Sequence, residues 1–283
     1  MKLPAPKNEI LKYGFPLMIG NGVFSIFQAM DKLCVNHFGT EYDVGIYTSA
    51  QNLISAFDVI QTTFVTLWIP KAIEHYEKHP EDREYYRRMN QIMTVVMFSF
   101  GAIVLLCKDL IILLLGEKYR AAFAIFPFLM FNPIMYTLSE TTGTGLSITK
   151  KTKCQVIITS VSAVANFIGN IILIPILGPK GAAVSTGISY IIFFTMRTLF
   201  ANHYFPMNYK LVRFYILTVL FAGEVWYHMY HSFSWIIVVM FLATVLLIAA
   251  LYWHAVKDIF VILKEQIVKL KKGKGKAEEQ PEE

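Results

Sequence analysis

Two stretches place polar side chains at helical spacing inside runs that are otherwise apolar. In the first, Asn21, Ser25, Gln28 and Lys32 are separated by four, three and four residues, with Asp31 beside the last. In the second, Gln51, Ser55, Asp58, Thr62 and Thr66 follow at four, three, four and four. Residues three or four apart share a helix face, so each set is one polar stripe. In hydrocarbon each such group costs free energy unless it finds a partner or water, so both stripes are expected to turn inward. Two consecutive helices with long polar faces suit the wall of a hydrated pathway for a polar solute or ion. Scattered hydrogen-bond contacts between helices are the competing reading. A third face, Asn132, Tyr136, Glu140 and Thr144, is expected to add to the wall, with Pro133 weakening its helix.

Depth separates the charged residues. Asp58 lies about 12 residues, roughly 18 Å, from the end of its run and hence near mid-membrane. A carboxylate there costs about 2.5 to 3.5 kcal/mol on insertion scales, so it must be protonated, paired, or in contact with water or a cation. Asp58 is therefore the candidate for proton or sodium coupling. Asp31 and Lys32 lie near the outer end of the first run and Arg197 near an inner end, where long side chains are expected to snorkel. Glu224 is mid-depth with His228 one turn away as its expected partner, in a structural role. Asn166 and Asn170, with Ser162, stack on one helix, and Gly181, Ser185 and Ser189 form a small-residue face on the next. These five positions from Asn166 to Ser189 are expected to pack two helices closely rather than to touch a substrate.

Other chemistry is thinly represented. His75 and His79 sit at i, i+4, but no third metal ligand is evident and solvated histidines are the expected state. Cys34, Cys107 and Cys154 are far apart and read as small hydrophobes. No nucleophile–base pair, metal set or glycine-rich phosphate loop is visible, which argues against an enzyme, and no cofactor is expected.

The elements that must hold these residues are membrane helices. Hydrophobic residues make up 55% of the 283 and charged residues 16%, and the mean hydropathy is +0.48, too apolar for an ordinary soluble domain. Eight spans are expected, at 10–35, 44–69, 89–107, 120–148, 153–177, 182–201, 211–230 and 234–256, giving an all-α polytopic bundle. Of the 26 Lys and Arg, all but Lys32, Lys108, Lys118, Arg120 and Lys180 fall on the side of the two termini. The net charge of +6 therefore reads as positive-inside topology with both ends cytoplasmic, and not as nucleic-acid binding. Residues 108–118 are expected in the outer interface. The start carries prolines where a signal peptide would have its apolar core. The tail, basic from Lys264 to Lys276 and then acidic, is expected to be disordered at 261–283, and its lysines could meet anionic lipid.

Several stretches in a shared order resemble a known family. Asn166-Phe-Ile-Gly-Asn170, Leu173-Ile-Pro-Ile-Leu-Gly178 and Gly181-Ala-Ala-Val-Ser-Thr-Gly-Ile-Ser-Tyr190 look like a signature of polysaccharide and oligosaccharide flippases. Ala29-Met-Asp-Lys-Leu33 leading into Val44-Gly-Ile-Tyr47-Thr-Ser-Ala50, and Leu113-Leu-Leu-Gly-Glu-Lys-Tyr119, agree with it. These proteins belong to the multidrug, oligosaccharidyl-lipid and polysaccharide exporter superfamily. The resemblance implies two six-helix lobes around a cavity that opens alternately to either side. Here residues 10–201 resemble the second lobe, 202–260 the extra helix pair of many members, and 1–9 the cytoplasmic linker between lobes. The first lobe is absent from this sequence. The implied activity is translocation of a polyprenyl-diphosphate-linked oligosaccharide across the cytoplasmic membrane. The implied partners are that substrate, membrane lipids, and a first-lobe chain or a second copy. Export of cationic drugs, a glycan polymerase or acyltransferase, and a non-transporting assembly partner or remnant are the alternatives.

Overall fold

The computed structural model describes residues 7–113, 117–262 and 264–265. From Lys7 to Leu251 the described chain forms ten α-helices and one 3-10 segment: α1 (Lys7–Phe38), α2 (Glu41–Lys78), α3 (Arg83–Leu106), α4 (Lys108–Leu113), the 3-10 segment (Glu117–Ala124), α5 (Phe126–Leu129), α6 (Phe131–Ile148), α7 (Thr152–Leu177), α8 (Pro179–Tyr204), α9 (Leu211–Tyr230) and α10 (Trp235–Leu251). A short helix, α11 (Trp253–Ile262), leaves α10 at 91°. No strand occurs among the described residues, so the protein is an all-α helix bundle.

Local chemistry sets the helix ends. Thr40 opens α2 with a reciprocal cap: its backbone N–H donates to Asp43 Oδ2 at 2.9 Å while its hydroxyl oxygen accepts from the Asp43 N–H. Asp82 opens α3 by accepting from the Tyr85 N–H at 3.1 Å. Between α7 and α8 the chain reverses at Gly178, whose φ of 60° and ψ of −144° suit glycine, and Pro179 starts the next helix where its missing N–H costs nothing. Gly181 follows because a side chain there would collide with the Leu173 carbonyl.

In lipid there is no hydrophobic drive between helices, so close fit and hydrogen bonds must hold the bundle. α1, α7, α8 and α6 pack in a row, α2 and α3 lie against α6, and α9 and α10 close on α3 and α5. Edge-to-face rings join α9 to this body: Phe221 meets Phe98 at 5.3 Å and Phe131 at 5.6 Å, and Phe194 stacks on Phe214 at 4.2 Å. Large apolar side chains such as Leu67, Ile176, Val212 and Val219 point outward as a lipid-facing surface. Four helices, α2, α3, α7 and α8, are long and apolar enough to cross a membrane, and the bent pair α10–α11 would make a fifth. The protein is thus a multi-pass membrane protein.

The structure departs from the expected spans in four places. The run 120–148 is broken into the 3-10 segment, α5 and α6, because Pro127 and Pro133 each occupy a first turn, where a helix can start but not continue. The run 234–256 stops at Leu251. Helix α1 begins at Lys7, within the linker expected at 1–9, and residues 1–6 and the tail from 266 lie outside the described residues. Lys108 is buried instead of lying in the outer interface. Its ammonium donates to the His228 and His231 carbonyls at 2.7 and 2.8 Å, capping the end of α9.

Candidate functional site

A carboxylate on the buried side of α1 starts the site. Asp31 is only 3% exposed, which is tolerable because three donors reach it. Its Oδ1 accepts from Asn166 and Asn170 Nδ2 at 2.8 and 2.9 Å, and its Oδ2 accepts from the Thr186 hydroxyl at 2.7 Å. Asn170 Nδ2 also donates to Asn166 Oδ1 at 3.1 Å, and Ser185 donates to the Asn166 carbonyl at 2.8 Å. The Tyr47 hydroxyl lies 3.4 Å from Thr186 Oγ1. Four helices, α1, α2, α7 and α8, thus meet at one carboxyl group.

This corrects two expectations. Asp31 does not sit at a solvated helix end, because α1 packs along α7 and presents Asp31 to that helix's polar face. Asn166 and Asn170 do more than tie helices, since their amides satisfy Asp31. Ser189 donates to the Ser185 carbonyl of its own helix at 2.7 Å. Thr186 lies outside the polar stripes and the small-residue face. Its signal is a buried carboxylate needing more donors than α7 supplies, with a hydroxyl residue next to Ser185 on the facing helix.

Above Asp31 is a cavity of about 240 Å³, the volume of about eight waters. Gln28 and Asp31 line it from α1, Gln51, Asn52, Ser55 and Asp58 from α2, Asn132 from α6, and Thr186 and Tyr190 from α8. The polar stripes of α1 and α2 therefore converge here. Asn21, Ser25, Lys32 and Thr62 are not among the lining residues and extend the same helix faces as exposed positions. The hydroxyl members of the stripes need no water, because Ser25, Ser55, Thr62 and Thr66 donate to carbonyls three or four residues back in their own helices. Gln28, Gln51 and Asp58 make no side-chain hydrogen bond among the described residues, so their polar groups are left for water or a polar solute to satisfy.

Glu140 is not part of this wall. It is buried and held by Arg197, which donates to its two oxygens at 2.6 and 2.8 Å and to Ser139 Oγ at 3.0 Å. Arg197 does not snorkel, because α6 packs on α8 through Gly143, whose missing side chain leaves room for the guanidinium. Glu224 is likewise held, accepting from Thr244 on α10 at 2.6 Å, and His228 is not its partner. His75 is not simply solvated: it lies 3.0 Å from Asp82 and stacks on Tyr85 at 3.8 Å.

Among the described residues no group of three His, Cys, Asp or Glu is placed to hold a metal ion. The Asp31 cluster offers a different donor set. It joins one carboxylate to two amide nitrogens and a hydroxyl that donate to it, and of its side-chain oxygens Asn170 Oδ1 is buried without a hydrogen-bond partner. With the carboxylate satisfied by three donors, the cluster presents no set of oxygen ligands to a cation and acts as a hydrogen-bonded tie between helices.

Comparison with known proteins adds three findings. Residues 5–124, which carry both polar stripes, match the model of a family described as polysaccharide biosynthesis protein. A curated relative from Haloferax volcanii, the probable low-salt glycan biosynthesis flippase Agl15, is 24% identical over 212 residues, 72% of this chain and 43% of that protein. The solved structure of the lipid II flippase MurJ in an inward closed conformation shares the fold, with a TM-score of 0.61 at 16% identity over 93% of this chain and 57% of that one. The chain spans about half the length of each of these two proteins.

Proposed function

We propose that this chain, which is similar to polysaccharide-biosynthesis flippases, forms one lobe of a transporter moving a polyprenyl-diphosphate-linked oligosaccharide across the cytoplasmic membrane. The observation that carries this reading is the convergence of Gln28, Asp31, Gln51, Asn52, Ser55 and Asp58 on one cavity between membrane-length helices. Unpaired amide and carboxyl groups at such a depth are stable only against water or a polar solute. The cavity is too small for an oligosaccharide, so it is one wall of the pathway. The exposed Asn21, Ser25, Lys32 and Thr62 continue that wall. A first-lobe chain or a second copy supplies the other side, in keeping with relatives about twice as long. Residues 10–201 form the six-helix lobe and 202–260 the added pair, and the distribution of Lys and Arg supports cytoplasmic termini. Sugar and diphosphate occupy the wet side while the lipid tail stays in the bilayer.

Coupling falls to Asp58, which is exposed to the cavity and carries a proton or contacts a cation or the polar head, while Asp31 and its three donors fix the helices around it. In proteoliposomes holding the complete two-lobe system, a fluorescent lipid-linked oligosaccharide reports flipping by its accessibility to a membrane-impermeant quencher. Asp58→Asn is expected to slow flipping at least about tenfold, equivalent to about 1.4 kcal/mol. Asp31→Asn removes the charged acceptor of three hydrogen bonds and is expected to lower the apparent melting temperature. A wild-type flipping rate in Asp58→Asn would sink the reading. Cation-coupled drug export is the second reading, favoured by the Asp58 carboxyl in the cavity. Efflux of a cationic dye without any oligosaccharide flipping would decide for it.

A further inference from the structure

At the end of the bundle that carries the α2–α3 turn, a second cavity of about 160 Å³ opens where α3, the start of α9 and the α10–α11 bend meet. Arg87, Lys210, Arg213 and His254 line it against a single carboxylate, Glu84. Glu84 is already paired with Arg87, and Arg213 donates to the Leu251 carbonyl at 3.2 Å. The charges of Lys210 and Arg213 thus have no carboxylate within ion-pair distance among the described residues. Lys210 is also held at φ 50° and ψ 51°, and Asn208 at φ 48°. Left-handed backbone is tolerable for asparagine but strained for lysine. Strain retained at a residue that lines a cationic cavity points to a use for that residue.

The surroundings place this cavity at a membrane surface. Helix α11 turns across the end of the bundle at 91° to α10, and Arg88 fixes it there by donating to Asp258 at 2.6 Å. Trp253, Phe260 and Val261 are exposed along one side of α11, with the Lys257 ammonium 5.1 Å from the Trp253 ring. An apolar aromatic stripe with a cation on it is the pattern of a helix lying in the headgroup region. The cavity opens beside it.

We propose that this cavity binds the phosphate of an anionic membrane lipid, with Lys210 and Arg213 as its charge partners and α11 seated in the same leaflet. The volume, about five waters, suits a phosphate headgroup and not a glycan. A zwitterionic lipid is the poorer ligand because its ammonium would meet the same cations. The site shares no lining residue with the polar cavity and does not depend on what is transported.

The test uses the full chain purified in a neutral detergent and titrated with dioleoylphosphatidylglycerol or dioleoylphosphatidylcholine, read by native mass spectrometry of retained lipid and by apparent melting temperature. Phosphatidylglycerol is expected to be retained and stabilising, and phosphatidylcholine not. At about 1 kcal/mol per charge near the surface, Lys210→Gly and Arg213→Gln should each weaken phosphatidylglycerol binding about fivefold. Lys210→Gly also relieves the left-handed strain, so a loss of binding in that variant is not a loss of fold. Lys180→Ala, at the other end of α8, should bind phosphatidylglycerol as wild type does. Equal retention of the two lipids, or wild-type affinity in both cavity variants, overturns the proposal. So does displacement of phosphatidylglycerol by millimolar inorganic phosphate with the same stabilisation, which would make the cavity a site for a soluble anion.

Discussion

Breaking the Glu140–Arg197 pair tests whether these residues hold the lobe together or line its pathway. Both side chains are nearly buried, at 6% and 9% exposed, and the carboxylate takes two guanidinium hydrogen bonds. In Arg197→Met the arginine is gone but the Glu140 carboxylate stays buried without a counter-charge. Removing one member of such a pair costs about 3 to 5 kcal/mol. At about 2 to 4 °C per kcal/mol for a protein of this size class, the apparent melting temperature in detergent should fall by roughly 6 to 20 °C. The double variant Glu140→Met, Arg197→Met removes both charges and should recover most of that loss, because similar apolar volume replaces the pair. In the reconstituted flipping assay the double variant should work at the wild-type rate, since neither residue lines the cavity. A single variant melting within about 2 °C of wild type would refute the energetic argument. A double variant that is stable yet inactive would return Glu140 to the pathway.

Three further outcomes follow from the geometry. Gly181→Ala places a methyl group against the Leu173 carbonyl and should destabilise by about 1 to 3 kcal/mol, whereas Gly223→Ala, with nothing within 4 Å of the added carbon, should be neutral or stabilising by thermal melting. Lys108→Met strips the ammonium from the His228 and His231 carbonyls and should cost about 1.5 to 3 kcal/mol, with faster hydrogen exchange confined to the end of α9; unchanged exchange there would remove the capping role. The Tyr85 N–H, which donates to Asp82, and nearby His75 hold the Asp82 carboxyl below its usual range. Its contribution to the α3 start is therefore present above the ordinary carboxylate pKa and lost as pH falls through the lowered value. Protection of the first α3 amides should decline below about pH 4, and Asp82→Asn should abolish that dependence.

Much of the bundle was legible because hydropathy and helical period are local properties. The α7–α8 hairpin is an example: Gly178-Pro179 marks the reversal, and Gly181 with Ser185 announces a close approach. The break of the 120–148 run was half visible in Pro133, but its true form depends on Pro127 opening a separate turn. The buried state of Arg197 was not legible. From the sequence, a cation near a helix end has water within reach, and only the neighbouring α6 with Glu140 and Gly143 takes that water away.

The amino-acid order by itself determined that this is a membrane bundle with polar faces on its first two helices, because the cost of a polar group in hydrocarbon is set by residue type and spacing. It also contained the family likeness, since that lies in contiguous motifs. Which polar residues meet was decided only by the packing of α1 on α7 and α8. Asp31, Asn166 and Thr186 are 135 and 155 positions apart from the first to each of the others, and no local pattern connects them. A carboxylate chooses its partners by distance in space, and the tertiary fold alone supplies that distance.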